Sequence, residues 1–353
     1  MTNPEKQLVA YSTSDRQAAS ASCYHRRIAF GVRVFGPTLR IAGIILLVVQ
    51  LVQSAIAVVN GGSAISINIA IGCTIAILII MASQRTVVQN AVTKFAARIQ
   101  DKRFSLYVYF FPFCLAVLIL WAKNQMGDKW GSVSSEGSLS EYGTAIAYLL
   151  VPVFAWPMAK LFRRQNKRLM SSLYLLLIAG AFFVGMEELS WGQRILGYQE
   201  PKFWTERNVQ SEFTIHNLDF FQNHLHNSYI LVGFLGSTCW LLLRYWQSRQ
   251  ARSQRVSAQS PTPQSPTPQR LDPSYLLPDW PISSFFYPIF IFYTLFTYRF
   301  FTGISDFLSS SDQEHWEFVM SLGVLLFVVI NFFRQARESD SAEISKDQSI
   351  YES

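Results

Sequence analysis

Charge is scarce in this chain. Asp, Glu, Lys and Arg together make up 15% of its 353 residues, too few to clothe a water-soluble protein of that length. Cysteine is scarcer still. Of the four, Cys73, Cys114 and Cys239 fall in apolar runs and Cys23 in a polar tail, and none belongs to a C-x-x-C pair. Neither a disulfide framework nor a zinc ribbon is implied. No secretory leader is expected either, since residues 1–27 are polar and lack the basic, apolar and small-residue order of one. The first apolar run is therefore expected to serve as its own signal anchor. A net charge of +7 points to anionic headgroups rather than to nucleic acid, because the basic residues follow a topological pattern.

What the chain has is apolar sequence. Half of the residues are hydrophobic and 15% are aromatic. A bilayer core of about 30 Å needs about 20 apolar residues per helix, with every backbone polar group satisfied internally. Eight runs meet that need, at 39–59, 64–82, 104–122, 143–162, 169–188, 228–246, 282–301 and 315–333. The expected fold is an all-α polytopic membrane helix bundle of about eight transmembrane helices. Only NGGS separates the first two, so they read as a hairpin turned at Gly61 and Gly62. With the N-terminus inside, 24 of the 30 Lys and Arg residues fall on the cytoplasmic side and 13 of the 23 acids on the other. The positive-inside rule then puts both termini in the cytoplasm and the protein in the cell membrane.

Two polar stretches organise the rest. In SQRTVVQNAVTKFAARIQDKR, 83–103, apolar residues recur at Val87, Val88, Ala91, Val92, Phe95 and Ile99, and the segment reads as an interfacial amphipathic connector. Residues 247–274 contain SPTPQ twice in tandem, proline-broken sequence expected to form a disordered cytoplasmic linker. The organisation is thus a tail at 1–38, a six-helix region at 39–246 with an external motif loop at 187–227, the linker, a two-helix region at 275–333 and a tail at 334–353.

The chemistry gathers at the external edge of the fifth run, where GMEELSWGQR (185–194) follows directly on apolar sequence. Glu187 and Glu188 there face the negative end of a helix dipole, each other and partial desolvation. Compensation can come from a metal, an arginine or a retained proton. Arg194 lies two helical turns on. Arg299, the sole basic residue of the aromatic seventh run, is the better partner, because an intramembrane arginine itself needs an acid.

Two further segments reach the same edge. On a helical wheel His216, Asp219, Asn223, His226 and Asn227 share one arc, opposite Leu218, Phe221 and Leu225, with Glu212 one turn upstream of His216. Imidazole and carboxylate on one face suit proton transfer or a divalent metal, and an interfacial helix hydrogen-bonded to headgroups would show the same pattern. In TGISDFLSSSDQEHWEFVM, Ser311 and Glu314 fit a capping box, whereas Glu317 lies deeper than any cap. The candidate site is accordingly Glu187, Glu188, His216, His226, Glu317 and Arg299.

EELSWGQR followed by a stretch ending in HN resembles a motif of uncharacterised bacterial multi-pass membrane proteins. That resemblance covers about residues 180–230 and implies a shared site without an activity. There is also a partial likeness to CAAX-type intramembrane proteases, in which EExxxR, FxxxH and HxxxN or HxxxD lie on successive helices. Glu187 and Glu188 match the paired glutamates and Phe220 to His224 the second element. Arg194 comes two residues late, and Ser228 stands where Asn or Asp belongs.

Three classes of function follow. An extracytoplasmic hydrolase or transferase acting on a lipid or lipid-linked substrate uses every feature, with Glu187 or Glu188 as general base and Trp191 and Trp204 as interfacial aromatics. A transporter would carry mid-membrane acids and inverted repeats, neither of which is present in the sequence. A non-catalytic scaffold would need only an acidic rim paired with Arg299 and Arg194.

Overall fold

The computed structural model describes residues 101–134, 138–193, 214–215, 218–258, 273–299 and 307–351, with isolated positions at 40, 44, 47, 48, 51, 54, 55, 58, 73, 77, 80 and 303. Among the described residues the secondary structure is helical and no strand is present. Six helices among the described residues are long and apolar enough to cross a membrane: Lys102–Lys129, Ser140–Arg164, Arg168–Glu188, His224–Gln250, Pro273–Tyr298 and Ser310–Gln335. They correspond to the third to eighth runs of the sequence. The first two runs, most of the 83–103 connector and the SPTPQ repeats lie outside the described residues, although every isolated position from 40 to 80 is helical. One compact unit, Gln100–Val329, holds the site and its surroundings.

Helix α1, Lys102–Met126, starts where the Asp101 carboxylate accepts from Arg103 N and stops at Gly127. Helix α2, Leu139–Arg164, is capped by Ser138 and ends in Arg163 and Arg164, cations at the negative end of the dipole. Helix α3, Arg168–Glu188, returns antiparallel after a turn in which Asn166 takes a left-handed φ of 57° and Lys167 N–H donates to Phe162 O. The α2–α3 hairpin is the most extensive helix pairing, fixed further by Ser171 Oγ donating to Ala159 O at 2.9 Å. Pro112 in α1 and Pro152 and Pro157 in α2 sit inside helices, as membrane spans tolerate when neighbours re-satisfy the freed carbonyls.

Helix α4, Asp219–Ala258, is continuous into the span that begins at His224, so His226 and Asn227 of the polar arc stand within that span. It also runs twelve residues into the expected 247–274 linker, since no proline or glycine intervenes before Pro261. A turn at Trp280–Ser283 and a 3-10 turn at Ser284–Phe286 lead into α5, Tyr287–Tyr298. Helix α5 lies so close to α4 that a Cβ on Gly233 would stand 2.9 Å from the Phe290 backbone. Helix α6, Gln313–Tyr351, extends the eighth run through the C-terminal tail.

The bundle interior is built from Val151, Ala155 and Phe162 of α2, Tyr174 of α3, Ile289 and Tyr293 of α5 and Val319 of α6, all under 5% exposed. The outer surface is apolar too. Among the large hydrophobic side chains described, Tyr107 (73%), Leu176 (69%) and Val117 (68%) are the most exposed, an arrangement unfavourable in water and suited to lipid.

Candidate functional site

The end of α3 is where the local backbone is least ordinary. After the C-cap Leu189, three consecutive residues adopt left-handed φ: Ser190 at 47°, Trp191 at 50° and Gly192 at 86°. Glycine takes this freely, whereas Ser and Trp each pay about 1 kcal/mol or more. The reversal turns the Trp191 side chain back on the helix it follows, and its indole N–H donates to Glu187 Oε1. The backbone N–H of Ile215 donates to Glu187 Oε2 at 2.7 Å. Both oxygens of a residue only 4% exposed are thus engaged, and they tie the end of α3 to the approach of α4. Neutral N–H dipoles meet the electrostatic problem that the sequence poses for this carboxylate.

Glu188 and Glu317, each 8% exposed, converge from different helices on a set of phenols. Tyr293 of α5, fully buried, donates its hydroxyl to Glu317 Oε1 at 2.7 Å. The Tyr229 ring of α4 stacks on Tyr293 with centroids 4.7 Å apart and planes 13° from parallel. The His226 imidazole, one turn earlier, lies 5.3 Å from the Tyr293 ring and 5.6 Å from that of Phe296. The buried Tyr148 phenol of α2 is within electrostatic reach of both Glu188 and Glu317, as is that of Tyr229. Helices α2 to α6 therefore each supply a polar group to one region. Sequence reading finds Glu188, His226 and Glu317 but not the tyrosines. Their signal is the phenol itself, because a hydroxyl inside an apolar run needs a partner.

Arg299 does not join this set. Helix α5 ends at Tyr298, and Arg299 is its C-cap, left-handed (φ 48°, ψ 40°), with its N–H on Leu295 O. The Arg299 side chain is exposed and forms no ion pair with Glu187, Glu188 or any other described residue. The expected pairing fails because the helix stops short, so the guanidinium is not held in an apolar span that demands a counter-ion. His216 and Arg194 lie outside the described residues. The capping box before α6 also shifts: Asp312 Oδ2 accepts from Ser309 N at 2.8 Å, so Ser309 and Asp312, not Ser311 and Glu314, form it. Among the described residues no three His, Cys, Asp or Glu side chains gather as metal ligands.

A second polar cluster at the same end joins α1 to α6. Lys123 Nζ pairs with Asp312 Oδ2 at 2.5 Å, with side chains 10% and 1% exposed, and also donates to Ser309 Oγ at 3.1 Å. Trp130 Nε1 donates to Asp312 Oδ1 at 2.7 Å. Ser140 Oγ and His315 Nδ1 are 2.5 Å apart, and the His315 ring lies 4.9 Å from that of Trp130. The sequence signal for the ion pair was opposite charge at the edges of two apolar runs.

Comparison with known proteins supplies no family for this arrangement: no family model matches the chain, and neither a similar curated protein nor a similar solved structure was found.

Proposed function

We propose that this chain is a multi-pass enzyme of the cell membrane, a hydrolase or transferase that acts from the extracytoplasmic side on a lipid or lipid-linked substrate. Both termini are cytoplasmic in this reading, and the Glu188 end of the bundle faces outward. The observation that carries it is the convergence of buried Glu188 and Glu317 on shared phenols from three further helices. Carboxylates taken this far out of water are costly, and such groups inside a membrane bundle mark sites of proton chemistry or substrate binding.

The roles divide by environment. Glu187 is a clasp, because both of its oxygens hold N–H donors. Glu188 is the general base, taking a proton from water or from an acceptor hydroxyl as that oxygen attacks the substrate's ester-type centre. The bond to the leaving oxygen breaks, and the proton held by Glu188 passes to that oxygen, which restores the carboxylate. Tyr148 offers an O–H dipole to charge developing in the transition state, while Tyr293 holds Glu317 in place. The outward-facing aliphatic and aromatic surface beside the site suits an acyl or isoprenoid chain.

Glu188→Gln keeps shape and hydrogen bonding while removing the base. Its detergent stability is expected to match the unmodified protein, and its complementation of a deletion strain is expected to fail. Retained complementation would overturn the catalytic role. The second reading, a scaffold, is favoured by the Tyr293–Glu317 bond, which satisfies both groups without a ligand. It gains support if Glu188→Gln and Tyr293→Phe alter only stability.

A further inference from the structure

The opposite end of the α2–α3 hairpin carries a feature that the proposed reaction does not use. A cavity of about 440 Å³ is lined by Arg163, Asn166, Arg168, Ser171, Ser172 and Leu175. Arg163 and Arg168 stand on either side of the Asn166 turn, and neither guanidinium has an ion-pair or hydrogen-bond partner among the described residues. No carboxylate lines the cavity. The adjoining N-terminus of α3 has no side-chain cap and no acid in its first turn, so its dipole adds to the positive potential without an internal counter-charge. Two guanidiniums around one cavity are the donor chemistry of phosphate recognition.

The surroundings distinguish a lipid phosphate from a free one. Leu175, at the cavity wall, is 41% exposed, and Leu169 and Leu176 beside it are 55% and 69% exposed. This apolar strip continues along the outer face of α3, where an acyl chain would lie. Trp156, 48% exposed, holds Lys160 Nζ 5.0 Å from its ring, the aromatic and cationic pairing typical of headgroup depth. We infer that this cavity binds the phosphate headgroup of an anionic phospholipid, with an acyl chain running over Leu175 and Leu176.

The test reconstitutes the full chain in vesicles of equal parts phosphatidylcholine and phosphatidylglycerol, releases it, and counts retained lipids by native mass spectrometry. The unmodified protein is expected to retain phosphatidylglycerol in preference to phosphatidylcholine. Arg163→Gln with Arg168→Gln should lower that preference about tenfold or more, the effect of losing charge-assisted hydrogen bonds. Lys102→Gln with Arg103→Gln removes equal charge from other exposed positions and should leave it intact. Ser172→Glu, which keeps both arginines and adds a carboxylate to the lining, should lower it as well and guards against misfolding of the arginine variant. Equal retention of the two lipids, an unchanged arginine variant, or equal loss in the Lys102 and Arg103 control would overturn the proposal. So would displacement of the lipid by inorganic phosphate alone, which would assign the cavity to the free anion.

Discussion

Glu187 and Glu188 are adjacent in the chain and differ in their proposed roles, Glu187 as a clasp that accepts two N–H groups and Glu188 as a base. The sequence makes the pair visible because two acids at a helix C-terminus demand compensation, but it does not divide their roles. That division depends on Ser190 and Trp191 adopting left-handed φ, which no residue preference announces; only Gly192 hints at it. Glu187→Gln is accordingly expected to destabilise by about 1–3 kcal/mol through weakened acceptance of two N–H groups, with detergent melting as the readout, whereas Glu188→Gln is expected to leave melting unchanged. The Lys123–Asp312 pair gives a sharper test. Lys123→Met alone leaves a buried, uncompensated carboxylate and should cost about 3–5 kcal/mol, while Lys123→Met with Asp312→Leu should recover a substantial part. A double variant as unstable as the single one would show that the pair does not account for the loss.

At the scale of elements, the long apolar runs were legible because the bilayer sets their length, and the third to eighth appear where composition puts them. Their ends were not. Helix α5 stops at Tyr298 instead of 301, which leaves Arg299 an exposed C-cap, and α4 begins early enough to carry His226 on the same helix as Tyr229, against the Tyr293 ring. Both differences arise because hydropathy reports burial and says little about capping. Helix contacts were equally hidden, since nothing in the sequence says which glycine a neighbour crosses. Gly233→Ala would push a methyl to within 2.9 Å of the Phe290 backbone, which has no flexible end to yield. A loss of about 1–3 kcal/mol is expected. Gly180→Ala meets nothing within 4 Å and should hold or raise stability through helix propensity. Equal melting shifts for the two would mean that α4 and α5 are not held this closely.

Across the whole molecule, the charge pattern and the helix packing are independent lines that meet on one axis. Packing places Lys123, Ser140, Glu188 and Asp312 at one end of the bundle through their mutual contacts and the antiparallel α2–α3 hairpin. The same end holds Glu187, Asp312 and Glu317, acids assigned to the outside, and the other end of the α2–α3 hairpin holds Arg163, Arg164 and Arg168. In the proposed orientation the positive-inside rule predicts that Arg163 and Arg168 are cytoplasmic. Cysteine accessibility tests this directly, provided that the probes sit on exposed positions. Ser134 is unsuitable, being fully buried with its hydroxyl on Trp130 O. Asp128→Cys and Ser310→Cys, both at exposed sites, should react with an impermeant maleimide on intact cells. Lys102→Cys and Arg164→Cys, also exposed, should react only after permeabilisation. The inverse pattern would reverse the topology and move the Glu188 site to the cytoplasmic face, where its substrate would have to be sought. Labelling of Asp128→Cys and Arg164→Cys alike from outside would deny that α2 crosses the membrane at all, and with it the buried-carboxylate basis for an intramembrane site.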